Sequence, residues 1–168
     1  VKRRGKYLLM NFRHGAVLIH LGMSGRLRIL PLGEPVRKHD HVDVVLTNNS
    51  VLRFHDPRRF GCVLWVDGDP LCSPQLAHLG LEPLEDAFSG QTLFNLARGR
   101  RTSVKNFIMN GRIVVGIGNI YANESLFRSG ILPSRSAGRI SLNRYRRLVA
   151  AIREVLIEAI HAGGTTLR

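Results

Sequence analysis

The chain has 168 residues, 44% of them hydrophobic, and 25 Lys and Arg against 12 Asp and Glu give a formal charge of +13. That length holds one domain or two small ones, each with its own core, and no apolar run reaches the 18 residues that a membrane span needs. Two cysteines, Cys62 and Cys72, form no Cys-x-x-Cys pair, so neither a disulfide framework nor a zinc site within the chain is indicated, and a cytoplasmic, reducing setting fits.

The first half predicts β structure. Lys6 to Phe12, Ala16 to Leu21, Arg26 to Leu30, Val42 to Thr47, Val51 to Phe54 and Cys62 to Val66 are short apolar or β-branched runs separated by Gly, Asn, Asp or Pro. Six such runs point to an antiparallel sandwich or barrel over residues 1–80. Prolines 70, 74 and 83 mark a connector, with a linker at 81–91. The second half, 92–168, predicts helices over Thr92 to Arg98, Ser103 to Met109 and Asn119 to Ser129. A long amphipathic helix follows, capped by Ser141 and stopped at Gly163-Gly164. The fold class is therefore α+β. The basic start, Val1-Lys-Arg-Arg-Gly-Lys6, lacks a signal-type apolar segment and an initiator Met, so a piece of a longer chain is expected.

A charge this positive favours a polyanion held through phosphate contacts and counterion release. A soluble basic protein or a ribosomal one is the plain alternative. Because the basic residues recur beside turn motifs rather than in one tail, nucleic acid is favoured. His20-Leu-Gly-Met-Ser-Gly25 falls at a strand end, where two glycines permit a tight turn that pushes Met23 outward. Taken alone, Met23 reads as core filling. In His55-Asp-Pro-Arg-Arg-Phe-Gly61 a loop presents Arg58, Arg59 and Phe60. Guanidinium groups suit phosphates or base edges, and a ring can wedge between bases. The alternative is a solvated turn with Phe60 tucked inward.

Lys38-His-Asp-His41 raises a metal site, with His39 and His41 on one strand face. No third ligand follows from the spacing, so polar DNA contact or structural hydrogen bonding is preferred and no metal is assigned. Arg98-Gly-Arg-Arg-Thr-Ser-Val-Lys105 is a basic lead-in to a helix, followed by the Gly116-x-Gly118-Asn119 turn. Together they build a helix–turn–helix-like pair. The helix starting at Asn119 offers free N–H groups and a positive end to an anion. The downstream acid of a dinucleotide-binding motif is missing.

Taken in order, His20-Leu-Gly-Met-Ser-Gly25, Lys38-His-Asp-His41, Asp56-Pro-Arg-Arg-Phe-Gly61 and Val114-Val-Gly-Ile-Gly-Asn-Ile-Tyr-Ala-Asn-Glu124 closely resemble bacterial formamidopyrimidine-DNA glycosylase, and Gly163-Gly-Thr-Thr-Leu167 agrees. The resemblance implies a β-sandwich domain and a domain with a helix–two-turn–helix element, with duplex DNA carrying oxidised purines bound between them. It also implies a monomeric bacterial enzyme working at the nucleoid. That enzyme excises 8-oxoguanine and formamidopyrimidines by base flipping, then cuts by Schiff-base β,δ-elimination.

By the same resemblance, Lys6 is the essential lysine near the lesion and Met23, Arg58 and Phe60 fill the gap left by the flipped nucleotide. His20, His39, Arg100, Lys105 and Asn119 match backbone-binding positions, with Arg59 beside them. The family's nucleophilic N-terminal proline and acid/base glutamate are absent from this sequence, as is the four-cysteine zinc finger of full-length members. The chain is accordingly expected to be an inactive fragment. A non-catalytic DNA-binding module is the rival from another class. Endonuclease VIII-type action on oxidised pyrimidines is the rival within it, although that branch generally clusters its filling residues in one loop.

Overall fold

In the computed structural model residues 1–164 are described, so Thr165 to Leu167 of the closing motif lie outside the described residues. The chain divides into two compact units, Val1–Ala77 and His78 onward.

The first unit holds two antiparallel sheets. Strands β1 (Lys2–Arg4), β2 (Tyr7–Asn11), β3 (Gly15–His20) and β7 (Cys62–Asp67) lie in the order β1-β2-β3-β7, whereas β4 (Arg26–Pro31), β5 (Asp40–Val45) and β6 (Ser50–His55) lie in the order β4-β6-β5. The six predicted runs all form strands, and β1 is additional. Its sequence, Lys2-Arg3-Arg4, carries no apolar signal; the strand exists because Gly5, at φ 57°, turns the chain so that Arg4 pairs with Tyr7 and Lys2 with Leu9. β3 is central, and Ala16, Leu18 and Ile19 are buried, with Leu9, Val51, Phe54 and Leu76 completing the apolar interior.

The second sheet buries a charge. Arg53 is 2% exposed. Its guanidinium donates to both oxygens of Asp43 at 2.8 Å, to Asp40 Oδ2 at 3.4 Å and to the carbonyls of Pro35 and Glu34 at 2.9 and 3.0 Å. Such a cation is tolerated because its donors are met. The pairing also ties the 34–35 segment onto the sheet. A bulge between Asp40 and Val42 follows, and His39 sits at φ 74° ahead of β5. His39 therefore does not share a strand face with His41, contrary to the expectation from spacing.

The second unit contains α1 (Gly90–Ala97), α2 (Val104–Met109), α3 (Asn119–Arg128) and α4 (Leu142–His161). Ser89 Oγ accepts from Thr92 N and Ser103 Oγ from Asn106 N, so both serines cap as their type predicts. Ser141 occupies the cap position of α4 without a side-chain cap bond. The apolar stripe of α4 delivers Tyr145, Leu148 and Ile152 into a core with Phe88, Leu93, Phe107, Ile108 and Leu126. Residues 81–91 are not a free linker. Leu81 bridges to Val114, Phe88 is fully buried, and the Arg153 guanidinium donates to the carbonyls of Pro83, Glu85 and Phe88. No helix among the described residues is long and apolar enough to cross a membrane.

α1 and α4 touch at Gly90, where an added Cβ would stand 2.7 Å from the Cα of Arg146. Gly90→Ala is expected to destabilise the helical unit by about 1–3 kcal/mol through overpacking. Thermal unfolding of the variant checks this, and an unchanged Tm would show that the helices separate without strain.

Candidate nucleic-acid interface

Two loops cross from one sheet to the other. Residues 21–25 join β3 to β4, and residues 56–61 join β6 to β7. Gly22, at φ 62°, lies against the second loop: a Cβ there would fall 2.6 Å from both Phe60 C and Gly61 N. Asp56, with no exposure at all, accepts from Ser24 Oγ at 2.6 Å through one oxygen and from Gly61 N at 2.8 Å through the other. Those bonds, Ser24's first, hold its carboxyl below the usual carboxylate range. Above these buried roots Met23 is 72% and Phe60 60% exposed, and the Arg58 guanidinium lies over the Phe60 ring, 4.9 Å from its centroid. Phe60 is thus not tucked inward.

Beside the first loop is a cavity of about 290 Å³ lined by Arg3, Gly5, Lys6, Leu8, His20, Leu21 and Gly22. Lys6 stands exposed at the β1–β2 turn. His20 Nδ1 accepts from Gly22 N at 3.0 Å, leaving Nε2 to carry the proton of the neutral ring. Burial, and then the Lys6 charge, push the His20 pKa below 6.5. A cavity lined by Arg3, Lys6 and a histidine suits an anion.

In the helical unit α2 and α3 are joined by two successive turns, with Gly116 at φ 82° and Gly118 as the N-cap of α3. Gly118 has no side chain to cap with, so the first-turn N–H groups beside exposed Asn119 and Ile120 offer an anion seat. The start of α2 differs: Val104 N donates to Arg135 O and Lys105 N to Pro133 O. Lys105 therefore brings its ammonium, not a helix end. Between Asp86 and Glu154 the sequence has twelve Lys or Arg and one acid, Glu124.

This geometry can be set beside known proteins. The family model for the formamidopyrimidine-DNA glycosylase N-terminal domain matches residues 1–63, and that for the formamidopyrimidine-DNA glycosylase H2TH domain matches residues 79–168. The chain belongs to the formamidopyrimidine-DNA glycosylase family. Among its relatives, the formamidopyrimidine-DNA glycosylase of Methylococcus capsulatus is 60% identical and that of Xylella fastidiosa 56%, each over the whole chain. The chain spans 62% of the length of either relative. Lactococcus lactis Fpg, solved in complex with DNA containing an abasic site, is 29% identical, with a TM-score of 0.91 over 99% of this chain and 62% of its own. Fpg (MutM) of Thermus thermophilus is 38% identical, with a TM-score of 0.87 over 99% of this chain and 61% of its own.

Within that family framework, the structure brings Met23, Arg58 and Phe60 together on paired loops and Lys6 with His20 in one cavity. Arg59, at φ 56°, turns aside to line a cavity of about 280 Å³ with His41, Asp56 and Cys62. The ring of His39 faces His55 at 6.1 Å, while His41 Nε2 meets the Asp56 carbonyl at 2.8 Å, so the two histidines do not converge. Arg100 is anchored, its Nε donating to Leu96 O and its guanidinium 5.7 Å from the Phe107 centroid. A zinc site built from four cysteines needs four thiolates and the chain has two, so its residues do not fit that metal. Among the described residues no His, Cys, Asp and Glu group could hold an ion.

The roles of Ser24, Asp56 and Arg53 are not evident from the sequence. An acid directly before a proline, as in Asp56-Pro57, is a turn signal that could have flagged one of them.

The His20 environment has a definite sign. Its folded pKa is depressed, so on acidification the unfolded chain takes the proton first, and this group's contribution to stability is lost as pH falls below about 6.5. Lys6→Gln removes one of the two causes, and the His20 midpoint, followed by NMR, is expected to rise. A midpoint that stays or falls would separate the two residues electrically.

Proposed function

We propose that this family member acts in base-excision repair as a DNA glycosylase and AP lyase on oxidised purines, with this chain supplying the grip on the duplex and the groups that fill the gap. The observation that carries the reading is the trio of Met23, Arg58 and Phe60, held out from solvent-excluded roots by two loops. Exposing large apolar groups costs a free protein solvation, and a rigid base makes them wedges rather than flaps. The names of the relatives and the abasic-site and Fapy-dG DNA in the Lactococcus lactis complexes support it.

In this reading, extruding a damaged nucleotide forfeits a few kcal/mol of stacking and pairing. Met23 and the Phe60 ring occupy the vacated space, and Arg58 reaches the widowed base edge. Two loops contribute these groups, which favours the purine-excising branch over the endonuclease VIII branch. Lys6 and His20 hold the phosphate beside the lesion, and in the helical unit the amide end of α3 at Asn119, with Lys105 and Arg100, holds DNA phosphates. His39 adds a polar backbone contact.

The elimination chemistry needs an amine that attacks the sugar C1′ as the glycosidic bond breaks, a role the resemblance gives to a proline followed by a glutamate. Residues 1 and 2 here are Val1 and Lys2. A zinc finger in the full-length protein would add a further hold on DNA. The partner is duplex DNA, met by a monomer in the bacterial cytoplasm.

The 168-residue chain is therefore expected to bind duplex DNA weakly, with an affinity that falls steeply as salt rises. Lys105→Ala should flatten the log–log salt slope by about one. An affinity indifferent to salt would sink the phosphate-grip reading. Borohydride treatment on an 8-oxoguanine duplex is expected to trap no covalent adduct. A robust adduct would place the nucleophilic amine among these residues instead.

A further inference from the structure

We propose that Ser24 and Asp56 form a positioning pair that fixes Met23 relative to Arg58 and Phe60, so that the three side chains meet the duplex as one preassembled surface. The proposal rests on the reading of those three residues as gap-filling groups.

Met23 stands on the crossover from β3 to β4, whereas Arg58 and Phe60 stand on the crossover from β6 to β7. The ladders hold both loops at their ends, with His20 opposite Cys62 and Arg26 opposite His55. Between those ends one hydroxyl and one carboxylate span the two loops. Arg58 N donates to Ser24 Oγ at 3.3 Å, Ser24 Oγ donates to Asp56 Oδ1 at 2.6 Å, and Gly61 N donates to Asp56 Oδ2 at 2.8 Å. The chain of bonds thus ties the residue next to Met23 to the amides on either side of Phe60. The Ser24–Asp56 bond is short and charge-assisted, the stronger kind. Asp56 is completely buried and cannot itself touch DNA, so its effect passes through the residues it holds. From β5, His41 Nε2 meets the Asp56 carbonyl at 2.8 Å and secures the same root. Holding flexible Met and Arg side chains on a fixed base lowers the ordering cost of binding.

Ser24→Ala removes the hydroxyl at the centre of this chain of bonds, and Ser24→Thr keeps it. The measured quantity is the preference of the 168-residue chain for a duplex carrying a tetrahydrofuran abasic-site analogue over the intact duplex. Ser24→Ala is expected to lower that preference about fivefold, the fold-change of one hydrogen bond of about 1 kcal/mol. Ser24→Thr should retain it, and the salt slope should not move in either variant. Because Ser24 acts through its neighbour, its effect should be strongly non-additive with Met23→Ala. Strict additivity, or equal losses in the Ala and Thr variants, would overturn the positioning role. A second arm needs no DNA: amide hydrogen exchange at Arg58 and Gly61 should accelerate in Ser24→Ala and not in Ser24→Thr. Unchanged exchange in Ser24→Ala overturns the pair. A wild-type chain with no preference for the abasic duplex would instead overturn the gap-filling reading, leaving the exchange result to decide the pair.

Discussion

The architecture of the β unit turns on a contact between two backbones. Gly22 and Gly61 lie where the crossovers meet, and neither has room for a side chain: a Cβ on Gly61 would stand 2.5 Å from the His20 carbonyl oxygen and 2.7 Å from Phe54 Cζ. Beside this contact Asp56, just past the end of β6, reaches Ser24, just ahead of its paired neighbour β4. The same approach sets the Gly22 amide on His20 Nδ1, so the imidazole beside Lys6 is oriented by the contact that supports Met23. The loop trio and the anion cavity therefore share one foundation.

Charge is handled differently in the two units. In the β unit three acids are structural. Asp40 and Asp43 meet a buried arginine, and Asp56 meets a hydroxyl and an amide, while the 56–61 loop carries exposed Arg58 and Arg59 and the β1–β2 turn carries Lys6. In the helical unit acids are nearly missing across the segment that bears α1 to α3. The exception, Glu124, is engaged with Arg128, which also makes a bidentate pair with Glu158. Both arrangements leave the 56–61 loop and the α1–α3 segment dominated by positive charge.

Much of this fold is legible in the sequence. β2 to β7 are β-branched or apolar runs broken by Gly, Asn and Asp, and the caps Ser89 and Ser103 carry their own local chemistry, so these elements follow from nearest-neighbour rules. What escaped depends on distant partners. Lys2-Arg3-Arg4 is a strand only because β2 is there to pair with it. Phe88, in a stretch rich in acids and bracketed by Pro83, is core only because α4 passes over it, and the left-handed turn at His39 immediately precedes a bulge in the pairing of β5 with β6. Motif order exposed Met23, Arg58 and Phe60, yet the residues that hold them lie in the same motifs and were silent. Ser24 and Asp56 are separated by 32 positions, and nothing local announces their bond.

The imbalance of twelve cations to one acid between Asp86 and Glu154 has a cost for the free helical unit. Like charges repel across its surface, so in dilute buffer the folded state carries a self-energy that counterions must relieve. Added salt thus has opposite effects: it weakens the hold on a polyanion while easing the strain of the fold. A bound duplex relieves both at once, since its phosphates neutralise the surface that salt would otherwise have to screen, and by mass action it shifts the unit toward its folded form. On the proposed grip, duplex DNA would be a folding partner for this unit as well as its target.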